Sequence, residues 1–205
     1  MRRAIGGGRT GAHGTPRAGW AAALLMLAGG PLVLPSALAA QDAVGGDYRW
    51  TMPAAYREVQ LRAQETQRKL LLQMADSMPE RHYRESAEPG QRHFAAQLHH
   101  VAAADVYIVS KFQLEAAPPT LPDTATTFAS RDGLKRFINA AYDYSIKALR
   151  EQPDAERQKS VFYFGQRIPK WLIWDELNQH SIWTIGQVVA NFRRHGMAPP
   201  AFSYY

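Results

Sequence analysis

The sequence predicts an all-α fold, a four-helix bundle with a long crossover loop between its second and third helices. Two observations lead to this prediction. Four segments, each roughly 20 to 27 residues long, repeat apolar side chains at spacings of three and four, which is the period of an amphipathic helix. A proline-rich stretch, "AAPPTLPDTATT", lies between the second and third segments, and its prolines forbid regular structure.

The first 40 residues have the layout of an export signal. Four arginines without any acidic residue precede an apolar run from Trp20 to Leu34, and small residues follow. We expect cleavage near Ala39 or Ala40 and a periplasmic or secreted protein. The alternative is an uncleaved anchor, but the run of about 15 residues is shorter than the ~20 that span a bilayer. No stable membrane span is therefore expected after cleavage.

The domain prediction follows from this division. Residues 1–40 are assigned to the signal peptide, residues 41–53 to a flexible polar arm, and residues 54–205 to a single bundle domain.

Charge and composition exclude several classes of function. The chain has a net charge of +6, but four of its 24 basic residues and none of its 18 acidic residues lie in the export signal, which leaves +2 on the rest. No nucleic-acid partner is expected, because such proteins carry a basic patch on the folded domain. The chain has no cysteine, which excludes disulfides, thiolate metal sites and cysteine nucleophiles.

The first predicted helix runs from Ala54 to Met78 and ends before Pro79. Its Gln, Arg, Lys and Glu residues are expected on the outer faces. Its inner face is expected to carry the positions that repeat at helical spacing, which are Val59, Ala63, Thr66, Leu70 and Met74.

The second predicted helix runs from about Gln91 to Leu114, after the breaker pair Pro89-Gly90. One of its faces is marked by Phe94, Leu98, Val101, Asp105, Ile108 and Phe112.

The third predicted helix begins after Ser130, a suitable N-cap, and continues to about Arg150. The stretch "EQPDAERQ" then breaks the helical pattern. The next stretch, "VFYFGQRI", is expected to form a short strand or an extended loop.

The last predicted helix runs from Pro169, a favourable first residue, to about His195. Arg193 and Arg194 lie in its final turn, where cations suit the helix dipole. Gly196 is expected to adopt the left-handed conformation that caps a helix.

A stripe of polar residues runs along this otherwise apolar helix. The pattern alone favours a solvent-exposed face. The stripe is bordered by Leu177, Trp183 and Val188, however, which favours the alternative of a pocket inside the bundle. Its members lie on one face at spacings of four and three, and they are Glu176, His180, Thr184, Gln187 and Asn191.

Two adjacent histidines, His99 and His100, lie on the second helix. Because neighbouring helical positions diverge by about 100°, at most one of them faces inward. An inward His100 opposite His180 would pair imidazoles from two helices, as in the metal sites of helical bundles. Two histidines alone are too few, since catalytic zinc takes three protein ligands and an open position.

Two longer segments carry a family resemblance. The segment "PERHYRESAEPGQRHFAAQLHHVAAAD" and the ending "DELNQHSIWTIGQVVANFRRHGMAPP" resemble the corresponding segments of the DinB/YfiT-like superfamily. The resemblance covers about residues 56–203. In the ending, the matching residues are Gly186, Gln187, Arg193, Gly196, Pro199 and Pro200.

The resemblance implies a four-helix bundle that is often a homodimer and often binds a divalent metal. In many members, one histidine on the second helix and an H-x-x-x-H pair on the last helix are the metal ligands. Carried over to this chain, these positions fall on His100, His180 and Thr184. Threonine is a poor zinc ligand, so the site is either lost or completed by water or by Glu176, which would give a His₂Glu set.

The sequence therefore supports two functions. The first is an exported DinB-like hydrolase or transferase that depends on zinc, nickel, iron or manganese and acts on a small-molecule substrate, with Trp183, Gln187 and Asn191 in its pocket. The second is a non-catalytic bundle that binds a small apolar ligand or a protein partner. A haem bundle with Met74 or Met78 as a ligand is a remote third alternative.

Overall fold

The structure is a computed structural model that describes Met52 and residues 55–202. The predicted signal peptide and nearly all of the predicted arm lie outside the described residues. Within the described part, the helices are α1 (Tyr56–Ser77), α2 (Phe94–Ile108), α3 (Thr124–Ala129), α4 (Arg131–Glu151), α5 (Asp154–Gln158) and α6 (Lys170–Arg194). The strands are β1 (Ser160–Tyr163) and β2 (Gln166–Pro169).

Helices α1, α2, α4 and α6 form the predicted four-helix bundle. Helices α4 and α6 each pack against both α1 and α2, whereas α1 and α2 have little contact with each other. Helices α1 and α2 therefore lie diagonally opposite each other in the bundle, and so do helices α4 and α6. The all-α prediction is confirmed. Within the described residues, no helix combines the length and the apolar character that crossing a bilayer requires.

The inner face of α1 differs from the prediction. Val59, expected inside, is 51% exposed, whereas Gln60, Gln64 and Gln67 are buried. The three glutamines follow the helical spacing of four and three, so they form an inner face of their own. The fully buried apolar residues of the helix, such as Leu70 and Met74, lie in its second half, and in the first half Leu61 is partly buried against the core. The sequence prediction for the first half of this helix was wrong, because these amides find partners inside the bundle.

The second predicted helix has the expected inner face, since every predicted position is buried. Its last turn is a π-helix, Val109–Leu114, which ends at Glu115 in the left-handed conformation. The crossover also contains more structure than predicted. Asp123 accepts a hydrogen bond from the Thr126 amide at 2.8 Å and caps the short helix α3, so the prolines exclude regular structure only up to that point.

The helix ends follow the predicted chemistry. The Ser130 hydroxyl accepts a hydrogen bond from the Gly133 amide at 3.1 Å and caps α4. Gly196 has φ +67° and lies just beyond α6, where the Met197 amide donates to the carbonyl of Phe192 at 3.0 Å. Both predicted caps are confirmed. Pro169 is the N-cap of α6 rather than its first residue.

The segment between α4 and α6 contains a short helix and a hairpin. The predicted break contains α5, and β1 pairs antiparallel with β2. The hairpin turn consists of Phe164, with φ +42°, and Gly165, with φ +94°. Positive φ at both central residues is the requirement of a type I′ turn, and glycine meets it without strain whereas phenylalanine does not.

Candidate functional site

The bundle brings His100 of α2 and His180 of α6 together. Their ring centres are 5.2 Å apart and their planes cross at 73°. Both side chains are half-buried, and the Nδ1 atom of His180 is buried without a hydrogen-bond partner. His99 turns elsewhere, because its ring packs against Phe137 with 4.2 Å between centres.

Burial keeps both imidazoles of this pair neutral. Loss of solvation lowers the pKa of His100, and nearby Arg92 and His180 lower it further. The pKa of His180 is lowered by the same loss of solvation and by Arg92. A neutral imidazole has a free lone pair, which is the state in which histidine binds a metal ion.

The third position of the predicted ligand set offers no strong ligand. Thr184 is buried, with 3% of its surface exposed, one helical turn after His180. Glu176 is half-buried one turn before it. Among the residues that the structure describes, Glu176 does not form a group with His100 and His180 whose ligand atoms all lie within 4.8 Å.

A pocket of about 840 Å³ opens beside His180, between α2, α6 and the hairpin. We call it the aromatic pocket, because four of the side chains that line it are aromatic. The predicted pocket residue Trp183 is one of them, and it is 77% exposed. The lining of the pocket includes Tyr107, Tyr163, Phe164, Glu176, His180 and Trp183.

The other two predicted pocket residues do not line the aromatic pocket. Gln187 is exposed and accepts a hydrogen bond from the amide of Gln97 at 2.7 Å. Asn191 is buried and donates to the carbonyl of Glu85 at 3.2 Å. The polar stripe on α6 therefore has two parts. Its first residues, Glu176 and His180, line the pocket, and its last residue, Asn191, hydrogen-bonds the loop between α1 and α2.

A second histidine cluster lies at the end of α6. His82, Glu85 and His195 form the one group of three metal-binding side chains, among the described residues, whose ligand atoms all lie within 4.8 Å of one another. The Glu85 carboxylate contacts His82 Nδ1 at 3.0 Å and His195 Nε2 at 3.3 Å. The cluster is a candidate metal-binding triad, and its two histidines are more than a hundred residues apart in the chain.

The two histidine rings of this triad stack on each other in the absence of an ion. The imidazoles of His82 and His195 are stacked, with 3.8 Å between centres and 26° between planes. Nitrogen lone pairs lie in the ring plane, and the planes of the two stacked rings are offset from each other, so one ring would have to tilt further for both to bind one ion. The hydrogen bond from His82, followed by the charges around it, lowers the pKa of Glu85, as expected for a carboxylate that bridges two imidazoles.

A polar core lies at the centre of the bundle, and sequence reasoning missed it. The Gln60 amide donates to the carbonyl of Trp171 at 3.0 Å and to the carboxylate of Asp175 at 2.9 Å. Gln67 donates to the side chain of Asn178. The only signal in the sequence was the helical spacing of the three glutamines, which is also common on exposed faces.

Asp105 is the acid of this polar core. It is fully buried, and the Ser145 hydroxyl donates to its Oδ2 at 3.4 Å, whereas its Oδ1 has no hydrogen-bond partner. Burial raises the pKa of Asp105 to about 8, even though hydrogen bonds from Gln64 and Ser145 act in the opposite direction. The side chain is therefore neutral at pH 7.

Comparison with known proteins identifies the fold. A crystal structure of a DinB-like protein from Bacillus cereus superposes with a TM-score of 0.54 at 22% sequence identity, over 70% of this chain and 95% of that one. No family model matches the sequence, and no curated protein is significantly similar to it. The chain therefore has a DinB-like fold, as the sequence resemblance predicted.

Proposed function

We propose that the chain is a metal-dependent hydrolase or transferase, with a divalent metal ion at His100 and His180 and a small-molecule substrate in the aromatic pocket. The observation that carries the proposal is the buried Nδ1 of His180, which has no hydrogen-bond partner, in a ring 5.2 Å from that of His100. A buried polar atom without a partner is costly, and such atoms in native proteins call for an explanation.

The residues present fit a divalent ion in part. Two neutral imidazoles from separate helices are strong ligands. Thr184 adds no strong ligand and Glu176 does not group with both histidines, so the fit is that of a two-histidine site with water in the remaining positions. Such a site binds more weakly than a three-histidine site, because each strong ligand contributes to affinity.

Each residue has a distinct role in this proposal. When bound, the metal would supply Lewis-acid activation of a water or a thiol. His100 and His180 hold the ion, and the aromatic pocket orients the substrate and excludes part of its water. Glu176, which lines the pocket one turn before His180, accepts a proton at its carboxylate.

Metal analysis tests the proposal. The protein, purified without a histidine tag, is incubated with zinc, nickel, iron or manganese, and the bound metal is measured. We expect about one ion per chain, and we expect His100→Ala and His180→Ala to lose it. His99→Ala is the matched control, because the ring of His99 packs against Phe137 and should leave the metal content unchanged.

Other variants separate the two histidine clusters. If His82→Ala and His195→Ala remove the metal while His100→Ala and His180→Ala keep it, the ion belongs to the candidate triad. That result would overturn the proposed site. Absence of bound metal under every condition would overturn the metal-dependent function itself.

A second candidate function, a non-catalytic bundle that binds a small apolar ligand or a partner protein, is favoured by one observation. Trp183 is 77% exposed and Phe164 is 64% exposed at the rim of the aromatic pocket. Large exposed apolar side chains that lie together often mark a binding site. Ligand binding by a protein that takes up no metal would support this candidate over the enzyme.

A further inference from the structure

Four aromatic side chains line the aromatic pocket. Trp183 projects from α6, Phe164 from the hairpin turn and Tyr107 from α2, and these rings are 77%, 64% and 48% exposed. Tyr163 lines the same pocket. Rings from three separate elements thus line one space of about 840 Å³.

The ring at the hairpin tip is held in place. Phe164 adopts φ +42°, a conformation that a phenylalanine rarely takes. Its ring lies 4.7 Å from that of Tyr163 and 5.3 Å from that of Phe112. Unusual backbone conformations persist where the surrounding contacts impose them, and they are frequent at binding sites.

The lining of the aromatic pocket contains a carboxylate. Among the described residues that line it, Glu176 is the one with a permanent charge, and no lysine or arginine takes part. Burial, followed by the nearby Glu176 carboxylate, raises the pKa of Tyr163 to about 12, so this phenol adds no charge of its own.

One ring of the pocket lining, that of Tyr107, already contacts a cation within the chain. The ammonium group of Lys111 lies 5.2 Å from the ring centres of both Tyr107 and Phe112. It also donates to the hydroxyl of Tyr107 at 2.9 Å. These distances are within the range of cation–π contacts, so the Tyr107 ring can hold an ammonium group.

From these observations, we infer that the aromatic pocket binds an organic cation, with an ammonium group held between the rings and beside the Glu176 carboxylate. Aromatic faces attract cations through their quadrupole, and cages of several rings recognise ammonium groups. The pocket is much larger than one ammonium group, so the group would be part of a larger molecule. This inference rests on the proposed function only in taking the same pocket as the place where the substrate binds.

The test measures binding of choline and of its neutral isostere, in which a tert-butyl group replaces the trimethylammonium group. Titration by calorimetry uses the intact protein, once free of metal and once loaded with zinc. We expect choline to bind about tenfold more tightly than the isostere, because only the cation gains from the rings and from the carboxylate. Equal affinity for the two, or no saturable binding of choline, would overturn the inference.

Variants assign the site. Trp183→Leu and Glu176→Gln should each weaken choline binding about tenfold and affect the isostere less. Phe162→Leu is the matched control, because Phe162 is 66% exposed on the same hairpin but does not line the pocket. Circular dichroism should be unchanged in all three, since the replaced groups are exposed or half-buried. Loss of choline binding in the Phe162→Leu variant alone would contradict the assignment.

The two proposals can fail separately. Choline binding by metal-free protein that never takes up an ion would support the cation pocket and refute the metal-dependent function. The opposite outcome is also possible. If the protein binds one equivalent of metal that His180→Ala loses, and if choline and its isostere bind equally, the metal site is supported and the cation pocket is refuted.

Discussion

The two histidine clusters of the molecule differ in the position of an acid. Glu85 bridges His82 and His195 through both of its carboxylate oxygens. His100 and His180 meet without a carboxylate close to both rings. In the bridged cluster both rings contact one carboxylate, whereas the pair on α2 and α6 keeps a ring nitrogen without a partner. Two histidines in contact thus have different uses, and the nearest acid decides between them.

Asp105 sharpens this comparison, because it lies on the same helix as His100 but takes no part in the pair. Its folded-state pKa, about 8, is raised far above the ordinary value of 3.8. The folded chain therefore binds a proton that the unfolded chain releases above pH 4, and stability falls as pH rises from about 4 to about 8. Over this range, this one group lowers the free energy of unfolding by about 1.4 kcal/mol for each unit of pH.

The largest expected effect follows for Asp105→Asn. The amide has the same shape and no charge to bury, so this variant should lose that dependence on pH and should be the more stable protein at pH 8, by a few kcal/mol. Urea unfolding at several pH values between 5 and 8 measures the difference. Metal content should not change, since Asp105 does not contact the histidine pair. A parallel pH dependence in the variant and the wild type would show that this carboxyl is not the group that titrates.

The next effect is expected for Thr184→His, which supplies the missing third imidazole one turn after His180. Metal affinity should rise on the order of 100-fold, because a complete set of three ligands replaces two ligands and water. Thr184→Val is the control for the change in packing, as it keeps the shape without a ligand. Competition with a chelating dye gives the affinities. If both variants bind metal as weakly as the wild type, position 184 does not face the ion.

The smallest effect is expected for Glu85→Gln, which removes the bridging charge. The folded-state pKa of Glu85 lies below its ordinary value of 4.5, so its contribution to stability is fully present above that pH and is lost as pH falls through the lower folded value. The variant should therefore be slightly less stable than the wild type at pH 6. The difference should disappear below about pH 3, where the wild-type carboxyl is protonated too. Thermal unfolding at pH 6 and pH 3 measures both, and a difference that persists at pH 3 would point to lost packing instead of lost charge.

Periodicity predicted most of the bundle. The inner face of α2 and the caps of α4 and α6 depend on residues close together in the sequence, so local spacing and capping chemistry are enough. The inner face of α1 depends on partners more than a hundred residues away, such as Asp175 and Asn178. Nothing local to Gln60 or Gln67 distinguishes an inward amide from one exposed to water.

The same limit applies to the candidate site. The helix pattern allowed a contact between His100 and His180 but did not decide between His99 and His100, and it was the family resemblance that placed the ligand positions on His100 and His180. The triad of His82, Glu85 and His195 was not predicted, since it joins a loop to the end of a helix. The aromatic pocket was found only in part, through Trp183. Its remaining aromatic walls come from α2 and from a hairpin whose position against α6 has no signature in the sequence.

The inward glutamines of α1 have a consequence for how the helices find their alignment. Apolar side chains tolerate sliding, because one methyl contact replaces another at little cost. The amides of Gln60 and Gln67 pair with particular groups on α6, and a shift of one helical turn would leave donors and acceptors buried without partners. These hydrogen bonds thus favour one axial position of α1 against α6 over its alternatives.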